Sequence, residues 1–166
     1  MRKSVVGMAD SGARSPGLDG VAGGEWIDLE ELAEVEVSSE DDLFPIEHAL
    51  AQRVTTGWRA SMAGPQVIRL IFDEPLQVRR IQVHVVERAA ERSQEFAVYA
   101  GANRAEMREV VRQQFTFSPG GSTEEIEDYA VSLDGVRTME LRIDPDRVNE
   151  MAKSVNYASL MALRVG

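Results

Sequence analysis

The side chains with the most chemical potential in this sequence are two histidines, His48 and His84, and acidic pairs such as Asp41/Asp42, Glu124/Glu125 and Glu127/Asp128. Zinc needs three or four His, Cys or carboxylate ligands, and its sites show short spacings such as H-x-x-x-H. His48 and His84 are far apart without such a spacing, and the chain has no cysteine. His48 stands beside Glu47 on a short turn. His84 alternates with Val83 and Val85, so it points to the opposite face of its strand. Both read as surface or capping histidines. Paired carboxylates can serve glycoside hydrolysis. With 28 acidic residues against 18 basic ones, solvated loop charge is the ordinary explanation. There is no cysteine nucleophile, no G-x-S-x-G and no phosphate-cradling glycine loop. Ser118-Pro-Gly-Gly-Ser122 has glycines, but it joins two strand-like runs and reads as a hairpin connection. These residues predict a protein that is not an enzyme, with no cofactor and no metal.

Binding chemistry is better represented. In the run Arg108–Gln114, Val111, Gln113 and Phe115 share one face, while Arg112 and Gln114 share the other. If the next strand is its neighbour, Arg112 or Gln114 meets Glu125 or Glu127 beside Tyr129. Such a face suits a sugar, and it equally suits a solvated sheet with cross-strand ion pairs. Aromatic residues are 6% of the chain, which leaves few rings for sugar stacking: Phe44, Tyr99, Tyr129 and Tyr157. Trp58 is expected in the core, because large aromatics mostly contribute burial. Loops on a rigid scaffold usually carry recognition. The loops Glu40–Phe44, Arg59–Gly64 and Glu87–Gln94 therefore supply the candidate ligand-binding residues Glu40, Asp41, Phe44, Arg59, Arg88 and Arg92.

The elements that must hold these residues are strands. Apolar residues alternate at Ile68/Leu70/Phe72, Ile81/Val83/Val85, Phe96/Val98/Ala100 and Met139/Leu141/Ile143. That period predicts half-buried strands whose apolar face is fixed inward. Turn signals separate the runs at Gly64-Pro65, Asp73-Glu74-Pro75, Gly101-Ala-Asn103, Asp134-Gly135 and Asp144-Pro145. Asp134-Gly135 predicts a tight hairpin turn. Residues 25–166 thus form one all-β antiparallel sandwich with one short helical turn near Phe44–Leu50. Residues 1–24, rich in glycine and without apolar period, are expected to be a disordered or flexible lead. Asp146–Ser154 reads as loop or one helical turn. The net charge of −10 would repel a phosphate backbone or an anionic membrane, so neither nucleic acid nor membrane is expected as partner. No apolar run approaches the ~20 residues of a membrane span. The absence of cysteine suits the cytoplasm.

The segment Val37–Glu87 carries a further pattern: Ser38-Ser39, Phe44-Pro45, Ala49-Leu50, Thr56-Gly57-Trp58-Arg59-Ala60, Gly64-Pro65-Gln66, Ile68–Phe72, Glu74-Pro75 and Val78-Arg79-Arg80-Ile81. In order and spacing it resembles the discoidin-like (F5/8 type C, galactose-binding-domain-like) family. The resemblance implies a jelly-roll sandwich and a non-catalytic binding module, with carbohydrate binding as the expected function. The alternative is an intracellular protein–protein interaction or scaffold module without a sugar ligand. The partner is thus a glycan or a protein. Family members often hold a structural Ca²⁺ through an acidic loop after the short turn and a Glu in the last strand. Here Ala51, Arg53 and Ala162 stand at those positions, and Ca²⁺ needs six to eight oxygens. The expectation is that no calcium binds and that the Arg53 guanidinium takes the ion's structural place.

Overall fold

The computed structural model describes residues 1–6, 26–53, 55–147 and 156–166. Residues 7–24 of the expected lead, Glu25, and most of Asp146–Ser154 lie outside the described residues. In chain order the elements are β1 (Arg2–Val5), α1 (Leu29–Leu32), β2 (Ala33–Val37), α2 (Ile46–Leu50), β3 (Trp58–Ala63), β4 (Gln66–Val86) and β5 (Arg92–Gly101). A 3₁₀ turn (Arg104–Glu106), β6 (Arg108–Phe117), β7 (Glu124–Asp144), β8 (Tyr157–Leu160) and β9 (Ala162–Val165) complete them. The fold is all-β, as the alternation predicts. Among the described residues it has three short helical turns rather than one. Side chains of Asp28 and Asn103 cap two of them, each accepting from two backbone N–H groups, a local signal that apolar periodicity does not report.

The main sheet runs β1-β2-β4-β7-β5-β6, with β9 also paired to β4, and β3 and β8 form a separate pair. Two expected turns are absent. Asp73-Glu74-Pro75 lies inside β4, and Asp134-Gly135 lies inside β7. The ladder between these strands runs from Gln66↔Ile143 to Ile71↔Thr138, shifts register around Leu76 and Val78, and resumes from Arg80↔Ala130 to Val86↔Glu124. Extra residues in a ladder bend it and add twist. Pro75, which lacks an N–H, and Gly135, at φ +67, occupy this irregular stretch. The Asp-Gly pair therefore makes a bulge where a hairpin was expected.

That bend builds the two layers. Before it, β4 pairs with β2 and β7 pairs with β5; after it, β4 pairs with β9. The inward positions change parity across it, from Ile68, Leu70 and Phe72 to Ile81, Val83 and Val85, and all six are buried. Phe96, Val98, Met139, Leu141 and Ile143 are buried with them, as alternation predicts. Phe96 of β5 meets Tyr129 of the far half of β7 edge-on, with centroids 6.3 Å apart, so the layers pack through aromatic rings. Trp58 is buried in this core.

The expectation that residues 1–24 stand apart fails for the first of them. Arg2–Val5 form β1, a parallel neighbour of β2 at the sheet edge. Charge holds the strand there: Arg2 pairs with Asp73, and Lys3 Nζ lies 2.8 Å from both Glu40 and Glu47. An exposed hydrophilic strand needs no apolar period, which is why hydropathy missed it. A second correction concerns β6. It pairs with β5 and makes no ladder with β7, so Arg112 meets Glu95 and Glu109 instead of Glu125 or Glu127.

Part of the family-like motif has a structural explanation. Gln66 Oε1 accepts from Ser38 Oγ at 2.6 Å and Ser39 Oγ at 2.7 Å. Its Nε2 donates to the carbonyls of Met62 at 3.1 Å and Gly64 at 3.3 Å. The buried amide is satisfied on both sides, and one side chain locks β2, β3 and β4 together.

Candidate functional site

Four of the six predicted residues converge beside β3. Asp41 N donates to Arg59 O at 2.9 Å, and Arg59 N donates to Phe44 O at 3.1 Å. The turn 41–44 thus lies along the start of β3. Asp41 Oδ1 accepts from Leu43 N at 2.9 Å, which closes the turn and turns Leu43 outward. Glu40 accepts from Lys3 and, at 2.7 Å, from Ile46 N, so its carboxylate caps α2. The Arg59 guanidinium lies 4.9 Å from the centroid of the Phe44 ring, within cation–π range. Arg59 has no carboxylate partner among the described residues.

The expected loop Arg59–Gly64 is mostly strand. β3 buries Trp58 and Ala60 and exposes Arg59, Ser61 and Met62. It pairs with β8 at Trp58↔Leu160, Arg59↔Ser159 and Ala63↔Tyr157, with an irregularity between. On this pair and the turn beside it, Leu43 is 77% exposed, Met62 62% and Tyr157 46%. Leu43, Ser61 and Met62 were not among the predicted residues. An isolated apolar residue carries no sequence signal for which side of a two-stranded sheet it occupies.

Arg92 reaches β8 of this pair only from a buried position, and Arg88 stands elsewhere. Arg92 is the buried first residue of β5, not part of a loop. It donates to Tyr157 O at 2.7 Å, to Glu87 Oε2 at 3.0 Å and to Ser159 Oγ at 3.4 Å. Burial pushes its pKa below the usual arginine range, against the opposing pull of Glu87 and Asp146. Arg92 is a clamp between β5 and β8, with no reach to solvent. Arg88 is exposed and lines a cleft with Arg53, His84, Glu124 and Arg164.

That cleft includes Arg53 and Ala162, two of the positions where the resemblance implied calcium ligands. Its residues do not fit the ion. Three arginines line it, and its one carboxylate, Glu124, is held by His84 Nε2 at 2.7 Å. Among the described residues no three His, Cys, Asp or Glu side chains cluster as a metal site. Arg53 does not take the ion's place as expected: it is exposed and makes no hydrogen bond or ion pair among the described residues. Arg164 of β9 makes the tie instead, donating from Nη2 to Gln52 O at 3.3 Å. Arg164 alternates with buried Leu163 and Val165, the signal that places it on the cleft side of its strand.

Solved structures of the same fold include a family 32 carbohydrate-binding module of Clostridium perfringens NanJ in complex with galactose. It is 16% identical, with a TM-score of 0.59, over 84% of this chain and 96% of that one. Another such module, from a family 31 glycoside hydrolase of Clostridium perfringens, is 14% identical with a TM-score of 0.61, over 84% of this chain and 93% of that one. A pectin-binding module is 16% identical with a TM-score of 0.57, over 82% and 91%. At these identities the likeness establishes the discoidin-like, galactose-binding-domain-like jelly roll and nothing finer. No curated protein sequence matches the chain. Residues 9–144, most of the chain, match the family described as "Anaphase-promoting complex, subunit 10 (APC10)", and the chain belongs to that family.

Proposed function

We propose that the chain is a non-catalytic binding module whose ligand is a protein, held on the outer face of the β3–β8 pair. The observation that carries this reading is the exposure of Leu43, Met62 and Tyr157 around the Arg59–Phe44 stack. Apolar side chains held in water by an ordered sheet add nothing to the core, and grouped exposure of this kind marks interaction sites. Tyr, Met and Arg are types enriched at protein interfaces. A strand already fixed by its neighbours loses little further freedom on binding, which favours affinity. Membership in a family described as a subunit of a complex supports a polypeptide partner.

A carbohydrate ligand is the second reading, supported by the sugar complexes among proteins of this fold. It suits this face less well. Tyr157 offers a ring, but Leu43 and Met62 cannot hydrogen-bond to hydroxyls, and Glu40 and Asp41 are occupied by Lys3 and by backbone N–H groups.

The test is a comparison of the wild type with the double variant Arg59→Glu/Met62→Glu, each screened against a glycan array and used to co-purify partners from the cells that make it. A partner protein lost in the variant, with a blank array, supports the reading. Glycan binding abolished by the same variant would put the sugar in the protein's place.

A further inference from the structure

Away from the β3 face, arginines gather in the cleft of about 230 Å³ introduced above. Arg53 follows α2, Arg88 follows β4, and Arg164 lies on β9. Strand pairing explains the gathering: His84 is opposite Ala162 and Gln82 is opposite Arg164, so β9 places Arg164 beside the end of β4 that leads to Arg88.

Like Arg59, these three arginines differ from most others among the described residues. Arg2, Arg69, Arg79, Arg80, Arg92, Arg112, Arg142 and Arg147 each pair with a carboxylate. Arg53, Arg88 and Arg164 have no carboxylate partner among the described residues, although the chain carries a net charge of −10. The one carboxylate lining the cleft, Glu124, is engaged by His84, and Glu87, next to Arg88 in the chain, is engaged by Arg92. Arg164 reaches only a backbone carbonyl, and its Nε is buried without a partner. Like charges concentrated on one concave wall repel each other and focus a field that attracts an anion.

We propose that this cleft binds an anion of the phosphate class, with Arg53, Arg88 and Arg164 as its cationic wall. A single guanidinium fork satisfies a carboxylate. Three forks around one cleft match the greater charge and the three terminal oxygens of a phosphoryl group. The position that the fold's resemblance assigned to a cation thus has the opposite polarity here. The inference is independent of the β3 face, which lies on other residues.

The experiment is a titration of the full chain with inorganic phosphate at constant ionic strength, chloride being the reference ion. Melting temperature and backbone amide shifts are followed together. A parallel arm compares a phosphoserine peptide with its unphosphorylated form. We expect a saturable rise in melting temperature with phosphate and amide shifts confined to the cleft. Arg53→Gln/Arg88→Gln removes two exposed side chains without internal partners, so it should fold. It should weaken binding at least about tenfold, since charge-assisted hydrogen bonds contribute ~1.5–3 kcal/mol each. Tighter binding of the phosphopeptide than of phosphate assigns the group to a partner protein; the reverse assigns a free ion. No response beyond chloride in either arm, or an undiminished response in the double variant, would overturn the proposal.

Discussion

Arg164 on the last strand donates a hydrogen bond from Nη2 to the carbonyl of Gln52, 3.3 Å away, and so ties β9 to the segment after α2. The discoidin-like resemblance implied a metal at this junction; here a guanidinium makes the tie. Losing the bond should cost ~1 kcal/mol. Arg164→Met is therefore expected to lower the urea midpoint of unfolding. Arg53→Met, at an exposed side chain without partners, should change stability by less than about 0.5 kcal/mol. Equal effects of the two would remove the distinction between them.

Arg69 and Glu140 form the buried centre of the main sheet. Arg69 Nε lies 2.8 Å from Glu140 Oε1, Arg69 also pairs with Glu36, and Arg142 lies 2.9 Å from Glu140 Oε2. Burial alone would raise the Glu140 pKa, but the hydrogen bonds from Arg69 and Arg142 hold it below the usual carboxylate range. A lowered folded-state pKa stabilises the fold above the unfolded value of ~4.3, and that stability is lost as pH falls through the folded value. Wild-type stability should therefore decline on acidification below about pH 4. Glu140→Gln should be less stable at neutral pH, with a flatter acid limb in denaturation curves. Arg69→Met leaves a buried carboxylate without its main cation and should cost ~3–5 kcal/mol.

Gln94 is fully buried on β5, and neither amide atom has a hydrogen-bond partner. An unsatisfied buried polar group costs ~1–3 kcal/mol. Gln94→Met keeps the shape and removes the polar atoms, so it is expected to raise the melting temperature. A lower melting temperature would mean that the amide is satisfied in solution.

Gly57 sits at φ +74, and a Cβ there would lie 2.5 Å from the Leu160 carbonyl oxygen. Backbone strain and collision act together at this entry to β3. Gly57→Ala should destabilise the domain by more than about 1 kcal/mol. A neutral result in thermal unfolding would show that β8 can move away.

The core was legible in the sequence because burial on a strand has a period of two, and Ile81, Val83 and Val85 display it without interruption. The family-like motif was legible for a related reason: Gln66 must satisfy its amide internally, which fixes the serines and carbonyls around it. The bend through Pro75 and Gly135 was misread because the residues that permit a hairpin also permit a bulge. Which one forms depends on the partner strand opposite. The candidate site was half legible. Glu40, Asp41, Phe44 and Arg59 come together because one turn lies along β3. Arg92 was misplaced because an arginine after a polar loop looks exposed until the strand that covers it is known. Leu43 and Met62 could not be singled out, since their exposure is a property of the β3–β8 pairing.

The central claim is that the face around Ser61 docks a protein. A photo-crosslinking amino acid in place of Ser61, exposed between Arg59 and Met62, tests it directly in the cells that make the protein. The same substitution at Thr116, an exposed position on β6, is the control. The account predicts a discrete polypeptide adduct from position 61, absent from position 116 and suppressed by Arg59→Glu. Equal adducts from both positions, or none from position 61 while glycans protect that face, would contradict it.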